Sequence, residues 1–133
     1  MREFKLQIVT PDGLVFDGMA ESILVRANCG DIEILAGHED YFSSLGVGRA
    51  RLKANGQTRE AAASGGFISV LGGEVKLTLT TLEFEDEIDL ERAKAARARA
   101  EEQVKNAKDD KALTLAKAKL ARAINRINVA RAK

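Results

Sequence analysis

The chain has 133 residues, enough for one ordinary domain or a small domain with an appendage. Its 21 basic and 20 acidic residues leave a net charge of +1, so no overall field draws it to nucleic acid or to an acidic substrate. No run of about 18 apolar residues occurs, so no membrane-spanning helix is expected.

The N-terminus, MREFKLQIVT, alternates instead of presenting the apolar block of a signal peptide. Cys29, the only cysteine, has no internal disulfide partner. That fits a reducing, cytoplasmic compartment, and Cys29 is expected as a small buried residue.

These totals conceal a division near Phe84–Glu87. All 11 glycines, the only proline and all six aromatic residues precede Glu85, whereas 13 alanines and no Gly, Pro or aromatic follow it. Residues 1–84 hold 8 basic and 11 acidic groups, net −3; residues 85–133 hold 13 and 9, net +4. An α+β chain is expected: an antiparallel β-sandwich over 1–84, then a two-helix hairpin over 88–133.

In chain order, Phe4, Leu6 and Ile8 alternate with Lys5, Gln7 and Val9, the period of a strand with one buried face. Thr10-Pro11-Asp12-Gly13 is a turn, with proline pre-setting the first central φ. Ser22–Arg26 and Asp31–Leu35 read as short strands. Arg49–Ala54 and Gln57–Ala63 flank Asn55-Gly56, the strongest short hairpin signal. Phe67–Leu71 and Glu74–Thr80 flank Gly72-Gly73, a second hairpin. Short strands with regular turn signals suggest a sandwich or barrel.

No catalytic constellation stands out in this region. His38, the only histidine, neighbours Glu39 and Asp40, which is too little for a metal site and fits a structural or surface role. Gly46-Val47-Gly48 is only a fragment of a phosphate-loop pattern and reads as a bend. A binding and mounting platform is expected.

Asp89 is a good N-cap for a helix from Leu90 to about Lys105, with Glu85, Asp86, Glu87 and Glu91 placing negative charge at its positive end. Its apolar side is thin: Leu90, Ala93, Ala96, Ala100 and Val104. Asn106–Asp110 is polar and turn-like, and Asp109 or Asp110 can cap a second helix with Leu113, Ala116, Leu120, Ile124 and Ile127 on one face. Small residues facing larger ones allow close approach. A hairpin of this size buries too little to be strongly stable alone, so binding energies of a few kcal/mol can move it.

Arg92 and Arg99 lie seven apart on the first helix, and Arg122 and Arg126 four apart on the second, so each pair shares a face. An antiparallel register with its turn near Lys108 sets Arg92 opposite Arg126 and Arg99 within about one turn of Arg122. Like charges so close cost energy unless an anion sits among them, and guanidinium forks match phosphate. The alternative is that each arginine snorkels to water. From Lys111 to Lys133 there are 7 basic residues and no acid. With no aromatic residue here to stack on bases, an acidic protein partner is favoured over nucleic acid.

Four landmarks now stand in order: VTPDGLVFDG (Val9–Gly18), GDIEILAGH (Gly30–His38), SGGF (Ser64–Phe67) and IDLERAKA (Ile88–Ala95). Together with the β-then-hairpin order they resemble the epsilon subunits of bacterial F-type ATP synthases, over the whole chain. The resemblance implies a non-catalytic rotor subunit, peripheral on the cytoplasmic face of the cell membrane and not inserted in it. Its sandwich would bind the γ shaft and the c-ring, with contacts at Gly30, Asp31 and His38. Its helices would fold against the sandwich or extend along γ. In the extended form the basic second helix would meet the catalytic β subunit and block ATP hydrolysis.

The resemblance also implies ATP as a regulatory ligand, with any magnesium requirement open. Ile88-Asp89-Leu90-Glu91-Arg92-Ala93 completes the motif of the bacillus-like, ATP-binding members. Ile88 and Ala93 would border the adenine, Asp89 would orient it, and Glu83 matches an acidic position near it. Arg92, Arg99, Arg122 and Arg126 would hold the phosphates. The chain departs from the family at Ala36, where a proline is usual, and in the following Glu39-Asp40-Tyr41-Phe42, where an apolar or proline-containing stretch is usual. A free-standing nucleotide-sensing or basic adaptor module is the alternative reading, and an enzyme is disfavoured.

Overall fold

The computed structural model describes residues 2–131. Met1, Ala132 and Lys133, and with Lys133 the last basic residue of the run from Lys111, lie outside the described residues. The chain forms two compact units that divide between Phe84 and Glu85.

The first unit is a sandwich of two five-stranded sheets. The strands are β1 (Phe4–Thr10), β2 (Gly13–Ala20), β3 (Ser22–Ala27), β4 (Gly30–Leu35), β5 (Tyr41–Ser44), β6 (Gly48–Ala54), β7 (Gln57–Ser64), β8 (Phe67–Leu71), β9 (Glu74–Thr78) and β10 (Thr81–Phe84). One sheet runs β2-β1-β9-β8-β5 and the other β10-β7-β6-β3-β4. Alternation decides which side chains meet between them. Leu6 and Ile8 from β1, Ile68 from β8 and Leu77 from β9 meet Ile23 and Val25 from β3 and Ile34 from β4, all at 1% exposure or less. On β6 and β7 the core positions are largely small: Ala50, Ala54, Ala61 and Ala63.

Both expected hairpins are present. Asn55 and Gly56 adopt φ of 55° and 73°, the left-handed pair of a two-residue turn, and β6 and β7 pair from Ala54–Gln57 to Gly48–Ala63. β8 and β9 pair in register from Leu71–Glu74 to Phe67–Thr78 across Gly72-Gly73. At Gly66, φ is +99° and a Cβ would lie 1.8 Å from the carbonyl oxygen of Thr78, so a glycine is required where the chain passes β9.

The structure corrects the sequence reading in several places. The sandwich is not wholly antiparallel: β1 and β9 pair in parallel, Leu6 with Val75 and Ile8 with Leu77. Three further strands, β2, β5 and β10, were not expected. β2 carries Leu14, Val15 and Phe16 in succession, so it lacks alternation, and β2 and β5 are sheet edges that need only one buried face. β9 stops at Thr78, and Thr81–Phe84 opens a separate strand against β7. Cys29 is exposed, because it stands in the turn between β3 and β4 and not on a strand.

The second unit begins with a single 3-10 turn at Glu85–Glu87, followed by α1 (Leu90–Asn106) and α2 (Asp110–Arg131). Asp89 caps α1, its carboxylate accepting from the Arg92 N–H at 3.1 Å. Asp109 caps α2 in the same way, accepting from the Ala112 N–H at 2.7 Å. Here too the structure differs in detail. The fully buried residues are Ala93 and Ala100 on α1, and Ala116, Ala123, Ile127 and Val129 on α2. Leu113, Leu120 and Ile124 are only half-buried, so alanines contribute to the seam from both helices. No helix among the described residues is long and apolar enough to cross a membrane.

Candidate functional site

The hairpin carries a concave, half-open groove of about 260 Å³ between its helices. Ala96 and Ala100 of α1 contribute small side chains to it, beside Arg99 and Gln103. From α2 come Lys119, Arg122 and Arg126, spaced three and then four residues, so all three lie on one helical face. Four cations therefore border one groove, and no carboxylate lines it. Such a donor set fits a polyanion: guanidiniums offer forked hydrogen bonds to phosphate oxygens, and the ammonium adds a compact charge.

Two other cations of the hairpin have acids beside them. Lys94 lies 3.6 Å from Glu91 and Arg97 3.8 Å from Glu101, each one turn away on α1. On α2 no acid follows Asp110, so the groove cations of that helix have no acidic helix neighbour at such spacing.

Three of the four arginines singled out by sequence border this groove; Arg92 does not. It shares a face with Arg99, but the two stand seven residues, roughly 10 Å, apart along α1, and the groove spans only Ala96 to Gln103 on that helix. Arg92 is exposed on the first turn, Ile88 is half-buried just before it, and Ala93 is 3% exposed in the seam. Asp89 already uses one carboxylate oxygen as the helix cap. Glu83 stands on β10, paired with Ala62 of β7, and so belongs to the sandwich.

Sequence reasoning missed Lys119 and Gln103. The signal was available, since Lys119 precedes Arg122 by three residues and Gln103 follows Arg99 by four.

On the sandwich, Gly30 and Asp31 open β4 while His38 follows its other end, so the length of the strand, roughly 17 Å, separates them. They do not form one patch. The Asp31 carboxylate lies 3.2 Å from Arg26 and 3.8 Å from Arg49, partly exposed, in a small cross-strand charge cluster. His38 Nδ1 lies 2.7 Å from the Glu39 carbonyl oxygen, and its ring meets Tyr41 edge-on at 5.9 Å. Asp40 accepts a hydrogen bond from the Gly72 N–H at 3.0 Å, tying this loop to the β8–β9 turn.

A second missed feature is an exposed aromatic pair. Phe42 on edge strand β5 and Phe67 on β8 stack at 5.4 Å, with 68% and 40% of their surfaces exposed. Adjacent exposed aromatics are the usual mark of a protein-docking patch. Ile68 and Val70 point into the core, which by alternation turns Phe67 outward.

Comparison with known proteins covers both units. Residues 3–85 match the family described as ATP synthase, Delta/Epsilon chain, beta-sandwich domain, and residues 86–131 match ATP synthase, Delta/Epsilon chain, long alpha-helix domain. The ATP synthase epsilon chain of Bacillus velezensis is 44% identical over 130 residues, covering 98% of this chain and 98% of that one. The Caldicellulosiruptor saccharolyticus epsilon chain is 38% identical, covering 97% and 94%. A chain in a cryo-EM structure of the Euglena gracilis mitochondrial ATP synthase OSCP/F1/c-ring assembly shares the fold. Its TM-score is 0.84 at 23% identity, over 97% of this chain and 81% of that one.

Proposed function

The chain belongs to the ATP synthase epsilon chain family, and on that premise we propose that it is a non-catalytic regulator of an F-type, proton-translocating ATP synthase. In this reading the sandwich joins the γ shaft to the c-ring and so couples proton flow to the catalytic head. The subunit works at the cytoplasmic face of the bacterial cell membrane without entering it. The exposed Phe42–Phe67 pair supports a protein-docking role for the sandwich. The charge cluster of Arg26, Asp31 and Arg49 supplies polar contacts of the kind found at an interface rim.

The helical unit is the regulator. Extended along γ, the acid-free face of α2 meets an acidic stretch of the catalytic β subunit and restrains ATP hydrolysis. Folded, the hairpin binds ATP and hydrolysis is released. The observation that carries this reading is the groove that Arg99, Arg122, Arg126 and Lys119 border together. Arg99, Arg122 and Arg126 hold the phosphates; Ile88, Asp89, Arg92 and Ala93 form the motif by which the nucleoside end is taken. A ligand at 100 times its dissociation constant stabilises the form that binds it by about 2.7 kcal/mol. That is enough to reverse the balance between two states of a hairpin with an alanine seam.

Calorimetry of the full chain with ATP tests the site. Binding is expected, and Arg122→Ala and Arg126→Ala are each expected to weaken it about tenfold or more, as loss of a charge-assisted phosphate contact does. A parent chain that binds no ATP rejects the nucleotide reading. Co-purification with γ tests the rotor assignment, and a chain that fails to associate with γ is not such a subunit.

A further inference from the structure

Lys119 stands apart from the nucleotide motif, yet it borders the same groove as Arg99, Arg122 and Arg126. Its helix neighbours three and four residues away are Leu115, Ala116, Arg122 and Ala123. None is acidic, and Arg122 repels it. By contrast, Lys94 and Arg97 each have a glutamate one turn away. Lys117 has no acidic helix neighbour either, and Lys119 differs from it in bordering the groove. A lysine that meets an anion gains from it, since no neighbouring carboxylate competes for its charge.

Position along the helix gives the second part of the argument. Arg126, Arg122 and Lys119 follow one another along one face of α2 toward the interhelical turn, spanning seven residues, roughly 10 Å. Ile88, Asp89 and Ala93 lie at the opposite end of the hairpin, at the start of α1. A nucleotide whose base lies toward that end directs its phosphates toward the turn. Lys119 is then the last groove cation of α2 that the phosphate chain reaches. Alanines at 96 and 100 leave room beside it, and Gln103 offers an uncharged hydrogen-bond donor on the facing helix. A lysine ammonium, with three donors on a flexible stem, suits a terminal phosphate that presents several oxygens.

We propose that Lys119 is a specificity residue of the hairpin, taking the terminal phosphate of a nucleoside triphosphate and so separating ATP from ADP. The proposal rests on the nucleotide reading given above, and its test separates the two. Calorimetry on the full chain compares parent, Lys119→Ala, Lys119→Arg and Arg126→Ala, each with ATP and with ADP. Lys119 is exposed and alanine is the better helix former, so the hairpin is retained; far-UV circular dichroism checks this. The expected result is an approximately tenfold loss of ATP affinity in Lys119→Ala, with ADP affinity changed less than about twofold and Lys119→Arg near the parent. Arg126→Ala should weaken both nucleotides. If Lys119→Ala binds both as the parent does, or loses both equally, the role of Lys119 is overturned and the site stands. If the parent binds neither nucleotide, the site itself is overturned and Lys119 with it.

Discussion

The Asp89 carboxylate accepts a hydrogen bond from the backbone N–H of Arg92 at 3.1 Å, so the acid of the proposed nucleotide motif also starts the helix that bears that motif's arginine. These two roles are separable. Asp89→Ala should lower hairpin stability by about 1 kcal/mol through loss of the cap, measured as lost helicity in urea. Asp89→Asn keeps a good cap and should leave helicity unchanged while weakening ATP binding. If Asn binds ATP as well as Asp does, the carboxylate acts on the helix alone.

The alanine seam makes a second prediction. Ala100 and Ala123 are 2% and 1% exposed, and close packing at such positions leaves no room for longer side chains. Ala100→Leu or Ala123→Leu should destabilise the folded hairpin by about 1–3 kcal/mol and lower ATP affinity accordingly. Ala98→Leu, on the exposed side of α1, should do neither. Hydrogen exchange of α1 and α2 amides measures the first effect and calorimetry the second.

The seam and the sandwich together indicate how far residue patterns reach. Asn55-Gly56 and Gly72-Gly73 announced their hairpins because turn chemistry is local, and Asp89 announced its helix for the same reason. The parallel pairing of Leu6 with Val75 could not be read, since alternation reveals a buried face and says nothing of the neighbour. β2 and β5 escaped notice because edge strands need no clean period. In the hairpin, helical spacing brought Arg122 and Arg126 together correctly. Arg92 does not border the groove with them, because sharing a face with Arg99 is not the same as sharing a level along the axis.

Gly66 yields a third prediction. Its φ of +99° and the 1.8 Å approach of an added Cβ to the Thr78 carbonyl oxygen leave alanine nowhere to go. Gly66→Ala should cost at least about 2 kcal/mol from backbone strain and displacement of β9, seen as a lower urea midpoint. Gly46→Ala meets nothing within 4 Å and should stay within about 0.5 kcal/mol of the parent. Equal midpoints for the two variants would contradict the close approach.

Asp31 tests the sandwich as an interface. It pairs with Arg26 and Arg49 at partly exposed positions, where each pair contributes at most about 1 kcal/mol. Asp31→Asn should therefore leave the isolated chain folded with little loss. If Gly30 and Asp31 face the c-ring, the same change should weaken assembly of the rotor much more than it weakens the fold. Equal and small effects on both would remove Asp31 from the interface. His38, at the other end of β4, should behave independently of Asp31 in the double variant, since the length of the strand separates them.

The regulatory reading makes opposite predictions for two changes in the same hairpin. Truncation of the assembled synthase subunit after Glu87 removes both the nucleotide groove and the basic face of α2, and leaves the sandwich with its own core. Hydrolysis by that complex should lose its restraint at every ATP concentration. Arg99→Ala removes one groove cation from α1 and leaves α2 untouched. With ATP affinity lowered about tenfold, its folded form is populated only at about tenfold higher ATP. Hydrolysis should then remain restrained at ATP concentrations that release the parent complex. Assay of hydrolysis across ATP concentrations separates these outcomes. If truncation and Arg99→Ala shift the profile in the same direction, the groove does not govern the choice between folded and extended helices.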